Sequence, residues 1–358
     1  MTNDIPKIEP NDKCHCGSGK KYKKCCRQKD IREQMDVIGI IRDSKIKQCL
    51  HPDSKCCSGG IIRAHSIQNS KILKAIASDG KLLMFHPKLS QPFEEITEYG
   101  RGEATTFTGF CKHHDNILFE PIEDHMFDKS SKHIFLYTYR CFAKEYHGKK
   151  ETALAAKNME QALFKRNAEI HKTSSSTLNN YKSSCELSIN DLNRVKDVFD
   201  KAILTENYNV LTSIVWEFNQ SVKFAGSGFT ILTKDLLGNN IQSCLNDISR
   251  PIFITVFPEE ETAYCIISWI KDDDIVYSEL YQQLNKLTID EQKAFITNIL
   301  ISNTDNIVMN PNSWKSLDEA KKSVALSIGH AASLSLLMPQ FMDTHLLDNS
   351  GFTLFDLM

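Results

Sequence analysis

Four cysteines fall within thirteen residues near the start of the chain: Cys14-His15-Cys16-Gly17-Ser18-Gly19-Lys20-Lys21-Tyr22-Lys23-Lys24-Cys25-Cys26. No other feature restricts the fold as much. Zinc takes four soft, deprotonated ligands in a tetrahedron, and Cys-x-Cys followed after eight residues by Cys-Cys supplies four thiolates. The Gly-Ser-Gly turn lets the backbone double back so that both cysteine pairs reach one ion. Four lysines beside a Zn–thiolate centre are expected to help keep those thiols ionised. Seven of the twelve cysteines precede residue 58. Such clustering points to metal sites in a reducing compartment rather than to a disulfide framework. Residues 1–10 lack an apolar leader core, and no stretch approaches the ~18 apolar residues of a membrane helix, so a cytoplasmic protein without membrane contact is expected.

A second group begins at Cys49 and includes His51, Cys56, Cys57 and His65; some fifty residues on, Cys111-Lys112-His113-His114-Asp115 follows. A cysteine knuckle on one side and a Cys-x2-His helix start on the other are the two halves of a treble-clef zinc site. The preferred ligands are Cys49, Cys56 or Cys57, Cys111 and His114, with a second zinc as cofactor.

The string from Cys14 to Cys26 resembles the SEC-C motif, a small zinc module found at the C-terminus of the translocase motor ATPase and appended to many other bacterial proteins. The likeness covers about twenty residues and implies that Cys14, Cys16, Cys25 and Cys26 hold zinc, although the family often has His as its last ligand. The order of elements after Cys49 resembles, in outline, the HNH-type ββα-metal nucleases. That resemblance implies His65, in Arg63-Ala64-His65-Ser66-Ile67, as general base, His113 or Asn116 as a further polar group, and Mg2+ or Mn2+ as the catalytic ion. Ala64 stands where such nucleases carry Asp or His. The segment Phe107 to Glu123 also resembles a pattern of uncharacterised bacterial proteins, some thought to act in phage defence.

With 358 residues, the chain has room for two or three domains. Its motifs and composition shifts divide it into a tail (1–12), the SEC-C-like module (13–30), a connecting helix (31–48), a treble-clef or HNH-like module (49–128), a long helical segment (129–172), a Ser/Asn-rich linker (173–184) and a C-terminal domain (185–358). Helices flanking runs such as Ile252–Phe257 and Thr262–Trp269 place the whole in the α+β class, with an antiparallel C-terminal sheet. Aromatics from Phe135 to Tyr146 recur at helical spacing and are expected in the core.

Charge divides the chain in two. Residues 1–180 carry 30 basic and 22 acidic side chains, and the remainder 13 and 23. A polyanion would therefore meet the N-terminal half. No Gly-rich phosphate loop, Gly-x-Ser-x-Gly elbow or HExxH helix is present. Asp115, Glu120, Glu123, Asp124 and His125 are candidates for an acidic metal site, with solvated helix-flank charge the commoner explanation. Two functional classes follow: a zinc adaptor docking a protein or nucleic-acid partner through its basic N-terminal half, and a metal-dependent nuclease using His65.

Overall fold

The computed structural model describes residues 9–14, 16–85, 96–166, 168–243, 248–335, 346–348 and 351–357. The chain forms two compact units, one from Met1–Lys45 with Glu151–Cys185, the other from Ile46–Lys150 with Glu186–Met358.

In the first unit a 3-10 turn, Tyr22–Lys24, leads into α1 (Arg27–Asp43). The unit also takes in the later part of α4 (Ser131–Arg166) and the earlier part of α5 (Ala168–Thr205). Lys45 pairs with Glu151 at 2.6 Å, Asn158 donates to Ser44 Oγ at 2.9 Å, and Lys182 pairs with Glu160 at 3.2 Å. Residues 173–184, expected as a linker, lie inside α5. Ser and Asn are weak helix formers rather than helix breakers, and no Gly or Pro interrupts the run.

The second unit is built on a seven-stranded sheet of order β3-β2-β9-β6-β7-β8-β5. Its strands are β2 (Lys81–Met84), β3 (Thr97–Gly100), β5 (Leu211–Phe218), β6 (Phe224–Thr230), β7 (Ile252–Glu259), β8 (Thr262–Ile270) and β9 (Ile307–Met309). Every neighbouring pair is antiparallel. Both faces are covered, which explains why β7 is apolar without alternating with polar residues. Phe253 and Phe257 join one core with Ile266 and Ile270, beside Phe135, Tyr139 and Phe142 of α4 and Phe199 of α5. Ile252, Ile254 and Val256 join the other with Cys265, Ile267 and Trp269, beside Tyr277 and Leu280 of α6 (Asp274–Leu284) and Phe295 and Ile299 of α7 (Ile289–Asn303). The expected aromatics of α4 are indeed buried, and α4 runs unbroken through Gly148. Mixed helices and an antiparallel sheet bear out the α+β class. After β9 come α8 (Pro311–Ser316) and α9 (Glu319–Ser335).

The line drawn between 49–128 and 185–358 is not followed by the sheet. Strands β2 and β3 come from the first stretch: β2 pairs through Leu83 and Met84 with Met309 and Val308 of β9, and β3 pairs with β2. What remains of 49–128 is a ββα unit. It consists of β1 (Ile61–His65) antiparallel to β4 (Thr106–Cys111), followed directly by α3 (Lys112–Asp124). Between β1 and β4 the chain forms a π turn (Asn69–Leu73), α2 (Lys74–Ile76) and the β2–β3 pair. Leu50, Ala64, Phe110, Leu118, Phe119 and Ile122 tie the ββα unit into the core it shares with α4.

Candidate metal centres

At the first centre, Cys14 and Cys16 sit at the start of a tight loop closed by Cys14 N–H donating to Lys20 O at 2.8 Å. Gly17 and Gly19 have φ of +76° and +69°. That left-handed backbone, rather than lack of space, is what demands glycine, since nothing lies within 4 Å of a Cβ built there. The Tyr22–Lys24 turn then delivers Cys25 and Cys26, with Cys25 N–H donating to Tyr22 O at 3.0 Å. The four Sγ atoms all lie within 4.8 Å of one another. Cys16 Sγ is 3.5 Å from Cys25 Sγ, which is 3.9 Å from Cys26 Sγ. A tetrahedron with Zn–S near 2.3 Å has S···S edges of about 3.8 Å, so the donor set fits zinc.

Thiols packed this closely compete for protons. Hydrogen bonds from Ser18, then from Cys25 and Cys14, bring Cys16 down to about 6. Cys14 and Cys16 push Cys26 up to about 12. Ser18 Oγ also lies 3.2 Å from Cys25 Sγ. The groups that move these thiols most are thus Ser18 and one another, rather than the neighbouring lysines.

At the second centre, Cys49, Cys57, Cys111 and His114 converge, again with ligand atoms within 4.8 Å of one another. His114 Nδ1 is 3.4 Å from Cys49 Sγ, 3.6 Å from Cys57 Sγ and 3.3 Å from Cys111 Sγ. For zinc with one imidazole and three thiolates the N···S edge is about 3.6 Å. Each ligand is held by local structure. Gln48 and Leu50 donate to Thr108 O and Gly109 O, laying Cys49 beside β4. Cys111 is the N-cap of α3 and its sulfur accepts from His114 N–H at 3.5 Å. Asp53 caps the 3-10 turn Ser54–Cys56, after which Cys57 N–H donates to Ser54 O.

Of the two adjacent cysteines left open by the sequence, Cys57 is brought to the cluster. Cys56 points elsewhere, exposed beside Asp53, whose carboxylate raises its thiol. His51 lies flat against His114, ring centroids 3.8 Å apart and planes 8° from parallel. Burial, and then the neighbouring imidazole, lower it to about 4. That stacking role was missed from sequence. In the sequence His51 is one member of the group beginning at Cys49, with no role assigned to it.

His65 ends β1. Its Nδ1 is 3.0 Å from Ala104 O, which fixes the Nδ1–H tautomer and leaves Nε2 without a partner among the described residues. Burial lowers its pKa, with Arg140 adding to the effect and Ala104 O opposing it. It does not join either candidate metal cluster. The acidic residues of α3 form no cluster of metal-ligating type among the described residues. Glu123 is taken by Arg140, Asp115 is half-buried with its carboxyl raised by desolvation, and Glu120, Asp124 and His125 are exposed. His113 donates its backbone N–H to Ser58 O, and Asn116 is exposed.

Among the described residues, no helix is long and apolar enough to cross a membrane. The family model of the SEC-C motif matches residues 11–28. No curated protein and no solved structure matches the chain. The chain therefore carries a SEC-C motif, which suggests a zinc-binding protein, and two candidate metal sites, one of four cysteines and one of three cysteines with a histidine, both consistent with zinc.

Proposed function

We propose that the protein is a zinc-organised adaptor whose SEC-C-like hairpin and ββα unit are recognition modules for a macromolecular partner. The observation that supports this best is that each ligand set is complete with four protein donors. Four protein ligands are the pattern of structural zinc, whereas catalytic zinc keeps a position for water or substrate. Bound at either centre, zinc would supply a rigid cross-link between chain segments. Cys14, Cys16, Cys25 and Cys26 would hold the first ion, and Cys49, Cys57, Cys111 and His114 the second. A reducing compartment such as the cytoplasm keeps those thiols available. The basic balance of residues 1–180 makes nucleic acid or an acidic protein surface the natural partner. Binding of labelled nucleic acid by zinc-loaded protein should disappear on chelation and return with zinc. A partner bound equally well by stripped protein would contradict the adaptor reading.

A second reading, phosphodiester cleavage, is favoured by His65. A carbonyl holds its Nδ1–H, so Nε2 is presented as a base at the end of β1 in a β–β–α order. His65→Ala should abolish any Mg2+- or Mn2+-dependent cleavage while leaving zinc content unchanged. Full activity in that variant would remove His65 from the mechanism.

A further inference from the structure

We infer that Arg63, Thr106 and His65 form a phosphate-binding subsite on the outer face of the antiparallel β1–β4 pair, its ligand a nucleic-acid phosphodiester. The inference rests on the reading that this ββα unit meets nucleic acid, and it names the place where a phosphate would sit. Along β1, Ala64 is buried and Ile62 packs against the same core, while Arg63 is exposed and His65 half-buried on the other face; the extra residue that shifts the register between Ile62 and Ala64 lies on β4, so β1 keeps its own alternation. Across the two strands His65 pairs with Thr106, which puts their Cα atoms about 5 Å apart. Arg63 leans over that same pair, donating from Nη2 to Thr106 Oγ1 at 3.3 Å. The threonine hydroxyl donates onward to Glu103 O at 2.8 Å, so its lone pair is what holds the guanidinium. One strand's alternation and one cross-strand register thus bring a guanidinium, a hydroxyl and an imidazole together.

The chemistry of the patch selects an anion. Arg63 is exposed and has no carboxylate partner among the described residues, so the rest of its N–H fork faces solvent. A guanidinium fork matches two oxygens of a phosphate better than any point charge does. Arg63 and Arg140 both act on His65 as positive neighbours, and the acid that opposes them, Glu123, is already bound by Arg140. A phosphate seated on Arg63 would lie beside the open Nε2 of His65.

The test uses the full zinc-loaded chain and two fluorescent probes of about twenty nucleotides, a DNA duplex and a single-stranded RNA, titrated from 50 to 200 mM salt. Wild type should bind at least one probe, and which one identifies the source of the phosphodiester. Arg63→Ala should weaken that binding roughly tenfold at low salt and lower the log–log salt slope by about one, the value for one lost phosphate contact. Arg63→Lys should keep the slope, and Thr106→Val, which frees the guanidinium without removing its charge, should weaken binding by a smaller factor. Zinc content and melting of each variant report folding. If Arg63→Ala loses zinc, Arg63→Lys and Thr106→Val together carry the test. Wild-type affinity and slope in a folded Arg63→Ala would overturn the subsite and leave the nucleic-acid reading standing. Absence of binding to either probe by wild type would overturn both.

Discussion

Removing the first zinc should melt its own hairpin and leave the larger unit standing. Between Cys14 and Cys26, no aliphatic or aromatic side chain among the described residues is buried. The hydrophobic effect, worth roughly 1.5–3 kcal/mol per large side chain fully buried, therefore contributes little there. Ordering thirteen backbone residues costs about 13–26 kcal/mol at the usual 1–2 kcal/mol each. The one term of that size on the other side is metal binding, with apparent values of about 10–16 kcal/mol for small structural zinc sites. Lys20, Lys21, Lys23 and Lys24 stand inside the loop, so limited trypsin digestion reads its order directly. In Cys14→Ser, cleavage at these lysines should quicken at least tenfold over zinc-loaded wild type, while the main melting transition moves by less than a degree or two. Equal protection of the loop in both proteins would refute the reasoning, because it would mean that apolar packing or backbone hydrogen bonds suffice to hold it.

Burial lowers the pKa of both His65 and His133. A depressed folded-state value contributes stability that is present above the ordinary histidine range and lost as pH falls through it. Melting of the larger unit should therefore occur at lower temperature at pH 6 than at pH 7.5, with a smaller difference in a His65→Gln, His133→Gln double variant; a flat profile in wild type would contradict this. Gly228 in β6 is a second test: a Cβ there would lie 2.6 Å from Thr304 Cβ. Gly228→Ala should cost about 1–3 kcal/mol in denaturant unfolding, the usual range for overpacking. Gly102→Ala, where nothing lies within 4 Å, should leave stability within ~0.5 kcal/mol, and equal effects at the two positions would show that close approach is not the cause. Arg140 is 3% exposed and paired with Glu123. Glu123 is half-exposed, so replacing Arg140 by Ala should cost about 1–3 kcal/mol, chiefly through the lost packing of its guanidinium over Phe119, and a loss below ~0.5 kcal/mol would contradict this.

The cysteine spacing made the first cluster legible because its ligands are local, and a Cys-x-Cys–turn–Cys-Cys string has few ways to close. Three of the four residues at the second cluster were also legible, since a Cys-x2-His at a helix start announces itself. The choice between Cys56 and Cys57 was not. It depends on Asp53 capping a 3-10 turn and on which way the next peptide faces. The β7–β8 hairpin showed in the apolar runs on either side of Pro258-Glu-Glu-Glu. Strands β3 and β9, at four and three residues, are too short to carry a period, and exist because sheet neighbours accept their hydrogen bonds. Membership of β2 in the large sheet, and of β3 through it, is a long-range pairing of β2 with Val308 and Met309, which no local pattern encodes. The same holds for His51 on His114, a contact made by tertiary placement of a loop against the first turn of α3.

Zinc per chain, measured on protein purified without chelator beside Cys111→Ser, tests the central claim most directly. Cys111 is 2% exposed, caps α3 and belongs to the second cluster alone. Two zinc ions per wild-type chain and one in the variant are expected. A single zinc in both proteins would contradict it, leaving the SEC-C motif as the one metal centre and the cluster at Cys49, Cys57, Cys111 and His114 as side chains gathered by packing.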